Sequence, residues 1–122
     1  PPALFFCYSK EDMQLQKEVL IDISDNATNS SAAQCDGLLL SGIVFPAAMT
    51  GTAITLDFSF NGTTWYDVVE TDGTEVSYTV SAGNVVRVDP SGWAFASTGF
   101  LRIVSGSSEA ADRTINLIFK QS

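Results

Sequence analysis

The sequence predicts an all-β fold, a single β-sandwich, and a jelly-roll-like arrangement of the same strands is the alternative. From Gly37 onward, short stretches alternate apolar and polar residues, which is the pattern of strands with one buried face. Turn residues interrupt these stretches about every 8 to 12 residues, as is typical of sandwiches and small barrels. The chain has 122 residues, of which 45% are apolar and 16% charged, so one folded domain is expected and wholesale disorder is excluded.

The N-terminal stretch differs from the rest of the chain and is predicted to form an arm. Residues 4–8 are an apolar patch, Ser9 can cap one or two helical turns that follow it, and residues 19–23 alternate like a strand. We therefore expect an attachment segment over residues 1–26 and the β-sandwich over residues 27–122. The first segment can also be an edge strand and cap of the same domain, and both interpretations stay open.

The rest of the chain is predicted to form about seven to nine short strands joined by turns. The stretches with a strand-like pattern are residues 38–45, 53–60, 63–69, 75–80, 85–88, 100–104 and 114–119. Asn61-Gly62 suits a two-residue type I′ hairpin turn, because both central residues of that turn need positive φ. With a second turn at Asp72-Gly73, residues 53–80 are predicted to be a three-stranded meander.

The composition restricts the classes of function. Fourteen Asp and Glu face six Lys and Arg, which gives a net charge of −8 and disfavours contact with nucleic acid or anionic membranes. The chain contains no His, so the commonest general base and nitrogen metal ligand are missing, and we expect neither enzymatic activity nor a cofactor. Cys7 and Cys35 form no zinc-binding pair, and we expect two free thiols rather than a disulfide.

Carboxylates supply the few candidates for catalysis or metal binding. Asp57 and Asp67 lie across the predicted hairpin from each other, where a carboxylate pair can do acid–base chemistry on glycosidic bonds. We expect them instead to be solvated residues on the outer face of the sheet. Asp89, Glu109 and Asp112 flank loops but lack the compact spacing of a Ca²⁺ site, so no metal site is expected.

Three aromatic residues give the main alternative to a purely structural role. Trp65, Tyr66 and Trp93 would form a stacking platform for sugars if the fold brought them together, because flat rings match the apolar faces of sugars. Such a platform would make the chain a carbohydrate-binding module for host-surface glycans. A Trp that follows a hairpin usually packs on the sheet, and core packing is what we expect for these rings.

Residues 27–119 resemble small structural proteins of tailed bacteriophages. The resemblance is carried by LLLSGI at residues 38–43 followed by FPAAMTGTAI at 45–54, SFNGTTWY at 59–66, VDP at 88–90, and LRIVSGSSEAADRTI at 101–115. It implies a structural role in the virion. Within that role we expect a capsid decoration (cement) protein on the outer surface of the head. A tail, fibre or head–tail adaptor protein is the alternative within the virion.

This interpretation implies particular partners and contact residues. The chain would bind the major capsid protein as a homotrimer at three-fold positions, with no nucleic acid and no membrane as partner. An exposed apolar segment is unfavourable in water unless a partner covers it, so the arm is the expected attachment site. The expected partner-binding residues are Leu4, Phe5, Phe6, Tyr8, Met13 and Leu15.

Overall fold

The computed structural model describes residues 16–121, which form nine strands and one short 3₁₀ helix. The strands are β1 Gln16–Ile23, β2 Ala33–Gln34, β3 Leu39–Val44, β4 Ala53–Ser59, β5 Tyr66–Asp67, β6 Ser77–Thr79, β7 Val85–Arg87, β8 Phe100–Ser105 and β9 Arg113–Lys120. The 3₁₀ helix covers Pro90–Ala96 and is capped by the Asp89 carboxylate, which accepts a hydrogen bond from the backbone N–H of Ser91. Within this part of the chain no helix has the length and apolarity needed to cross a membrane.

The strands form two antiparallel sheets, which confirms the predicted all-β sandwich. The first sheet has the order β1-β9-β3-β7, and the second has the order β2-β8-β4-β5. Strand β6 pairs with the same edge of β4 as β5 does, so β5 and β6 act as one interrupted strand. Counted in that way, the two sheets have four strands each in the order of a jelly roll, the arrangement that the sequence offered as an alternative.

The core lies between the sheets and consists of alternate residues of the long strands. Ile54 and Leu56 of β4, Ile103 of β8, and Ile115 and Leu117 of β9 are all at most 1% exposed, as the predicted alternation requires. These strands pair in register over most of their length, so their inward rows of side chains form one continuous apolar layer.

A bulge in β3 changes the alternation of that strand. Leu40 pairs with Phe119 and Gly42 with Ile118, so Ser41 is an extra residue opposite the partner strand β9. The Ser41 hydroxyl donates a hydrogen bond to the Ile118 carbonyl oxygen. Because of the bulge, Leu40 and Ile43 both point into the core, although strict alternation would place them on opposite faces.

The first strand is an integral part of the sandwich. Strand β1 pairs with β9 from Gln16 to Ile23, and the side chains of Ile21 and Ile23 are fully buried. The sequence placed residues 16–23 in the N-terminal attachment segment, whereas the structure places them at the edge of the first sheet. The alternating isoleucines explain this position, because an isolated arm would leave both of them in water.

The predicted three-stranded meander is wrong. Strand β6 does not lie outside β5 but hydrogen-bonds directly to β4, with Ile54 opposite Tyr78. A bridge between Val69 and Glu75 joins the two chain segments near the turn at residues 72 and 73. The short β5 explains the difference, since it covers only two residues of β4 and leaves the rest of that edge to β6.

The type I′ turn at Asn61-Gly62 is also wrong, because Gly62 has a φ of 83° but Asn61 is not among the described residues with positive φ. The loop is wider because side chains hold it open: the Ser59 hydroxyl accepts hydrogen bonds from the backbone N–H groups of Asn61 and Gly62. The Asn61 side-chain oxygen accepts two more, from the N–H groups of Thr63 and Thr64. As a result β4 ends at Ser59, and the next residue leaves the sheet.

Gly99 provides a test of how closely the second sheet is packed. A Cβ atom at this position would lie 2.5 Å from Cε1 of Phe58 and 2.6 Å from the carbonyl oxygen of Ser59. We expect Gly99→Ala to lower the free energy of unfolding by about 2 kcal/mol, because backbone cannot move aside as a side chain can. Gly92→Ala is the matched control, since no atom lies within 4 Å of its added methyl group. Equal unfolding midpoints for the two variants in urea would contradict this packing.

Candidate protein-binding surface

Exposed apolar side chains cluster beside the 3₁₀ helix. Phe60, Tyr66, Val69 and Phe95 are 52% to 76% exposed and account for four of the six large hydrophobic residues that are exposed among residues 16–121. Phe58, which is buried, contacts Phe60 edge-on at 4.8 Å and Phe95 at 5.4 Å between ring centroids. We call the four exposed residues the aromatic surface, and Phe58 connects it to the core.

The fold positions each of these rings differently. Phe60 directly follows β4, where the wide loop begins, and its ring lies 6.3 Å from that of Tyr66 on β5. Phe95 belongs to the 3₁₀ helix and stacks at 5.8 Å on Trp93, which is only 3% exposed. The strand-like stretch over residues 53–60 would place Phe60 on the same buried face as Phe58, but β4 ends at Ser59, so Phe60 lies outside the strand.

Two shallow grooves border the aromatic surface. One has a volume of about 310 Å³ and is lined by Tyr66, Phe95 and their neighbours on β5. The other has a volume of about 350 Å³ and lies between residues 68–71 and the 3₁₀ helix, with Glu70 and Asp89 in its lining. Asp67 lines the first groove, and no Lys or Arg lines either of them. The charged residues that line the two grooves are therefore all acidic.

The structure does not bring the predicted sugar-binding residues together. Trp93 is buried, and its indole N–H donates a hydrogen bond to the Tyr78 hydroxyl at 3.0 Å. Trp65 is half-buried with its ring 4.5 Å from the Arg102 guanidinium. Tyr66 alone is exposed, as part of the aromatic surface. The core packing expected for Trp93 therefore holds, and the three rings form no common platform.

The two hairpin carboxylates are opposite each other, as predicted, but they are not both solvated. Asp57 pairs with Asp67 across β4 and β5 and is only 6% exposed. Its Oδ2 accepts a hydrogen bond from Nε of Arg102 at 3.0 Å and forms an ion pair with Nη2 of the same residue, also at 3.0 Å. Burial raises the pKa of Asp57, with a smaller contribution from Asp67, while Arg102 lowers it. The Arg102 contact makes Asp57 a structural group that ties β4 to β8.

Glu109 is the residue whose role the sequence did not reveal. Its carboxylate is fully buried and accepts four hydrogen bonds. The donors are the backbone N–H groups of Thr50 and Gly51, the Ser105 hydroxyl and Nε of Arg113, at distances from 2.7 to 2.9 Å. Burial raises the pKa of this group, but the four hydrogen bonds favour the ionised form more strongly and lower it to about 2.

The Glu109 carboxylate connects loops from different parts of the chain. The backbone N–H of Glu109 donates to the Ala27 carbonyl oxygen, and its own carbonyl accepts from the N–H of Asn26. The β3–β4 loop at Thr50, the β8–β9 loop and the loop after β1 therefore meet at this one residue. Asp112 is engaged elsewhere, accepting a hydrogen bond from the N–H of Asp25, and residues 16–121 contain no cluster of three potential metal ligands.

The expected partner-binding residues of the arm lie outside the described part of the chain. These are Leu4, Phe5, Phe6, Tyr8, Met13 and Leu15. Cys7 lies there as well, so the question of a disulfide to Cys35 stays a prediction. The Cys35 thiol is buried, and burial raises its pKa to about 11, which makes it a poor nucleophile at neutral pH.

Comparison with known proteins adds a weak structural similarity. No protein-family model and no curated protein matches the chain. The chain is similar to a solved structure of Bacillus endospore appendages, described as "a novel family of disulfide-linked pili", with a TM-score of 0.38 and 16% sequence identity over 89% of each chain. A similarity of this extent assigns neither a family nor a function.

The buried Glu109 carboxylate predicts a specific loss of stability. Glu109→Gln keeps the size of the side chain but removes the charge and places an amide N–H₂ group among four donors, so we expect the free energy of unfolding to fall by about 3 kcal/mol. Glu75→Gln, at an exposed carboxylate, is the matched control and should change it by less than about 0.5 kcal/mol. Chemical denaturation at pH 7 measures both values, and a similar small change in each would contradict the role of Glu109.

The same carboxylate predicts how the stability depends on pH. Its pKa is lowered in the folded state from an ordinary value of 4.5 to about 2, so its contribution is complete above pH 4.5 and is lost as the pH falls toward 2. The difference in unfolding free energy between wild type and Glu109→Gln should therefore shrink between pH 4.5 and pH 2. A difference that stays constant over this range would show that the charge of Glu109 does not stabilise the fold.

Proposed function

We propose that the protein is a structural component of a phage virion, a capsid decoration protein that binds the major capsid protein on the outer surface of the head. The aromatic surface is the observation that carries this proposal. It is held by ring contacts to buried Phe58 and Trp93, so it is presented on a fold that need not rearrange to bind. Contiguous apolar surface of this kind marks a site for another macromolecule.

The size of the aromatic surface is enough to contribute to attachment. An aromatic side chain buries about 150 to 250 Å² when it is fully covered, so covering the exposed parts of three rings removes about 300 Å² from water. At about 25 cal/mol per Å², this stabilises a complex by about 7.5 kcal/mol before the entropic cost of association. Many equivalent sites on a capsid lattice, and the homotrimer expected from the resemblance, would strengthen binding further through avidity.

The acidic groups beside the aromatic surface indicate which kind of partner surface can bind there. Asp67, Glu70 and Asp89 border the grooves beside the aromatic surface, and the chain as a whole carries a net charge of −8. A partner that inserts an apolar side chain surrounded by Lys or Arg fits these surroundings, whereas an acidic one is repelled. The negative charge left on the outer surface would also keep neighbouring particles apart.

The position of the protein in the virion is tested by locating it. Electron cryomicroscopy and quantitative mass spectrometry of particles produced by the genome that encodes the chain would count its copies. We expect hundreds of copies on the shell. A few copies at one vertex would instead identify a tail, fibre or head–tail adaptor component, and purified particles without the chain would contradict a structural role in the virion.

The aromatic surface predicts which variants fail to attach. We expect Val69→Ser and Tyr66→Ser together to weaken binding to undecorated shells at least tenfold, with little loss of stability because both side chains are more than half exposed. Ala82→Ser is a control at an exposed residue in the turn between β6 and β7. Binding isotherms on purified shells measure both variants. Equal binding by the double variant and the control would contradict attachment through the aromatic surface.

A glycan array with wild type and the same double variant addresses the carbohydrate-binding alternative. We expect no specific glycan to bind to the wild type. Specific binding that the Val69→Ser, Tyr66→Ser variant loses would assign the aromatic surface to sugars and would contradict capsid decoration as its role.

The arm can be removed without touching the sandwich if the deletion stops before β1. The β1 strand begins at Gln16, so removal of residues 1–15 leaves every described strand in place. We expect this deletion to weaken attachment to shells, because the arm holds the six apolar residues named above, and to leave the unfolding midpoint within a few degrees of the full chain. Full attachment by the shortened chain would show that the arm is not a binding segment.

A further inference from the structure

One row of residues on the outer face of the first sheet has an exposed apolar residue at each end. Leu20 on β1, Asn116 on β9, Val44 on β3 and Val85 on β7 are paired in register across all four strands. Leu20 is 63% exposed and Val85 is 56% exposed, and these are the two large exposed hydrophobic residues of the described chain that do not belong to the aromatic surface. They lie at the two ends of one row, with Asn116 and the partly exposed Val44 between them.

The next row of the same face carries opposite charges at its two ends. Glu18 on β1, Ile118 on β9, Gly42 on β3 and Arg87 on β7 are paired in register. A hollow of about 360 Å³ lies beside Glu18 and Ile118. A second hollow of about 410 Å³ lies beside Arg87 at the other edge of the sheet. The face therefore has a carboxylate with a hollow at one edge and a guanidinium with a hollow of similar size at the other.

The other charged groups in these hollows already have partners. Lys17 in the first hollow pairs with Asp36 at 2.6 Å, and Asp89 in the second accepts hydrogen bonds from the N–H and hydroxyl of Ser91. Glu18 accepts a hydrogen bond from the amide of Asn116 on the same face. Arg87 makes no ion pair within residues 16–121. The guanidinium of Arg87 is therefore the cation in this row that remains to be paired.

We infer that this face binds a second copy of the chain, related by a two-fold axis parallel to the strands. Rotation about that axis places β1 of one copy over β7 of the other, because the two edges of the sheet exchange places. Glu18 of each copy then faces Arg87 of its partner, and Leu20 faces Val85. The contact is self-complementary, as a two-fold interface requires, and each charged side chain enters the hollow at the opposite edge.

The charges favour a two-fold axis parallel to the strands over a two-fold axis across the strands, which is the other way in which two copies of this face could pack together. A two-fold axis across the strands would place β1 over β1 and β7 over β7, so that Glu18 would approach Glu18 and Arg87 would approach Arg87. Like charges at an interface are unfavourable, whereas the axis parallel to the strands forms two pairs of opposite charge. Face-to-face packing of sheets with nearly aligned strands is also a common arrangement in β-sandwiches.

The area of the face predicts a weak association. Four strands at about 4.8 Å spacing and about six residues of about 3.3 Å each give roughly 400 Å² for each copy, which is small for a stable dimer. The net charge of −8 on each chain opposes association as well. The pair should therefore form at high protein concentration or where copies are already held close together, and its detection requires a method that captures transient contacts.

Disulfide cross-linking between two variants tests both the contact and its axis. Glu18→Cys and Arg87→Cys are made separately in a Cys7→Ser background, and the remaining Cys35 is buried and unreactive. Mild oxidation of the mixture should give cross-linked dimers, while each variant alone should give at least tenfold fewer. A Glu75→Cys variant mixed with Arg87→Cys is the control for random collision, because Glu75 lies on the other sheet's edge. Equal yields in all mixtures, or dimers from each variant alone, would overturn the proposed contact.

Exchanging the charges of Glu18 and Arg87 gives a second test of the proposed contact, and this test needs no cysteine variants. Sedimentation of the wild type over a concentration series should show dimers. Glu18→Arg and Arg87→Glu should each lower the fraction of dimer, and the two substitutions combined in one chain should restore that fraction. Both residues are exposed, so each variant should unfold at the temperature of the wild type. A combined variant no better than the single ones would refute the pairing of Glu18 with Arg87. Neither readout involves virions, so the result is independent of the proposed function and of any three-fold contact elsewhere.

Discussion

The burial of alternate side chains between two sheets is the constraint on which both surfaces depend. Once Ile21, Ile43 and Ile115 point inward, the residues beside them must point outward, and the register of the strands then fixes which of them are neighbours. The outer row from Leu20 to Val85 follows directly from this register. A slip of one residue in any of these strands would bury its polar positions and break the row, so the surface is as well determined as the core.

The aromatic surface arises where this alternation stops. Phe58 is the last inward-facing ring of β4, and Phe60 would have been the next, but the hydroxyl of Ser59 and the side chain of Asn61 hold the chain in a wide loop. The ring of Phe60 then packs on the edge of Phe58 instead of entering the core. The polar loop therefore exposes Phe60, which would have been a core residue if β4 had continued. The same exposure makes the Phe60 ring accessible to a partner.

The long strands β4, β8 and β9 could be predicted from the sequence, because their apolar residues repeat with a period of two, and the structure buries these residues on one face. The features that were missed depend on contacts between distant parts of the chain. The Ser41 bulge is visible only when β3 is placed beside β9, and the pairing of β6 with β4 depends on how short β5 is. Glu109 carries no local signal of its role, since its hydrogen-bond donors at residues 50 and 51 come from a loop almost half the chain away.

The net charge of the chain opposes association of two copies through their apolar residues. A net charge of −8 makes every approach of two copies unfavourable at long range, so weak apolar contacts succeed only where the local charges are complementary. The aromatic surface, whose grooves have only acidic groups among their charged lining residues, is expected to repel another copy of itself and to favour a basic partner. The outer face of the first sheet, with Glu18 at one edge and Arg87 at the other, favours a second copy. The two surfaces therefore differ in what they can bind because of their charges, although both contain exposed apolar residues.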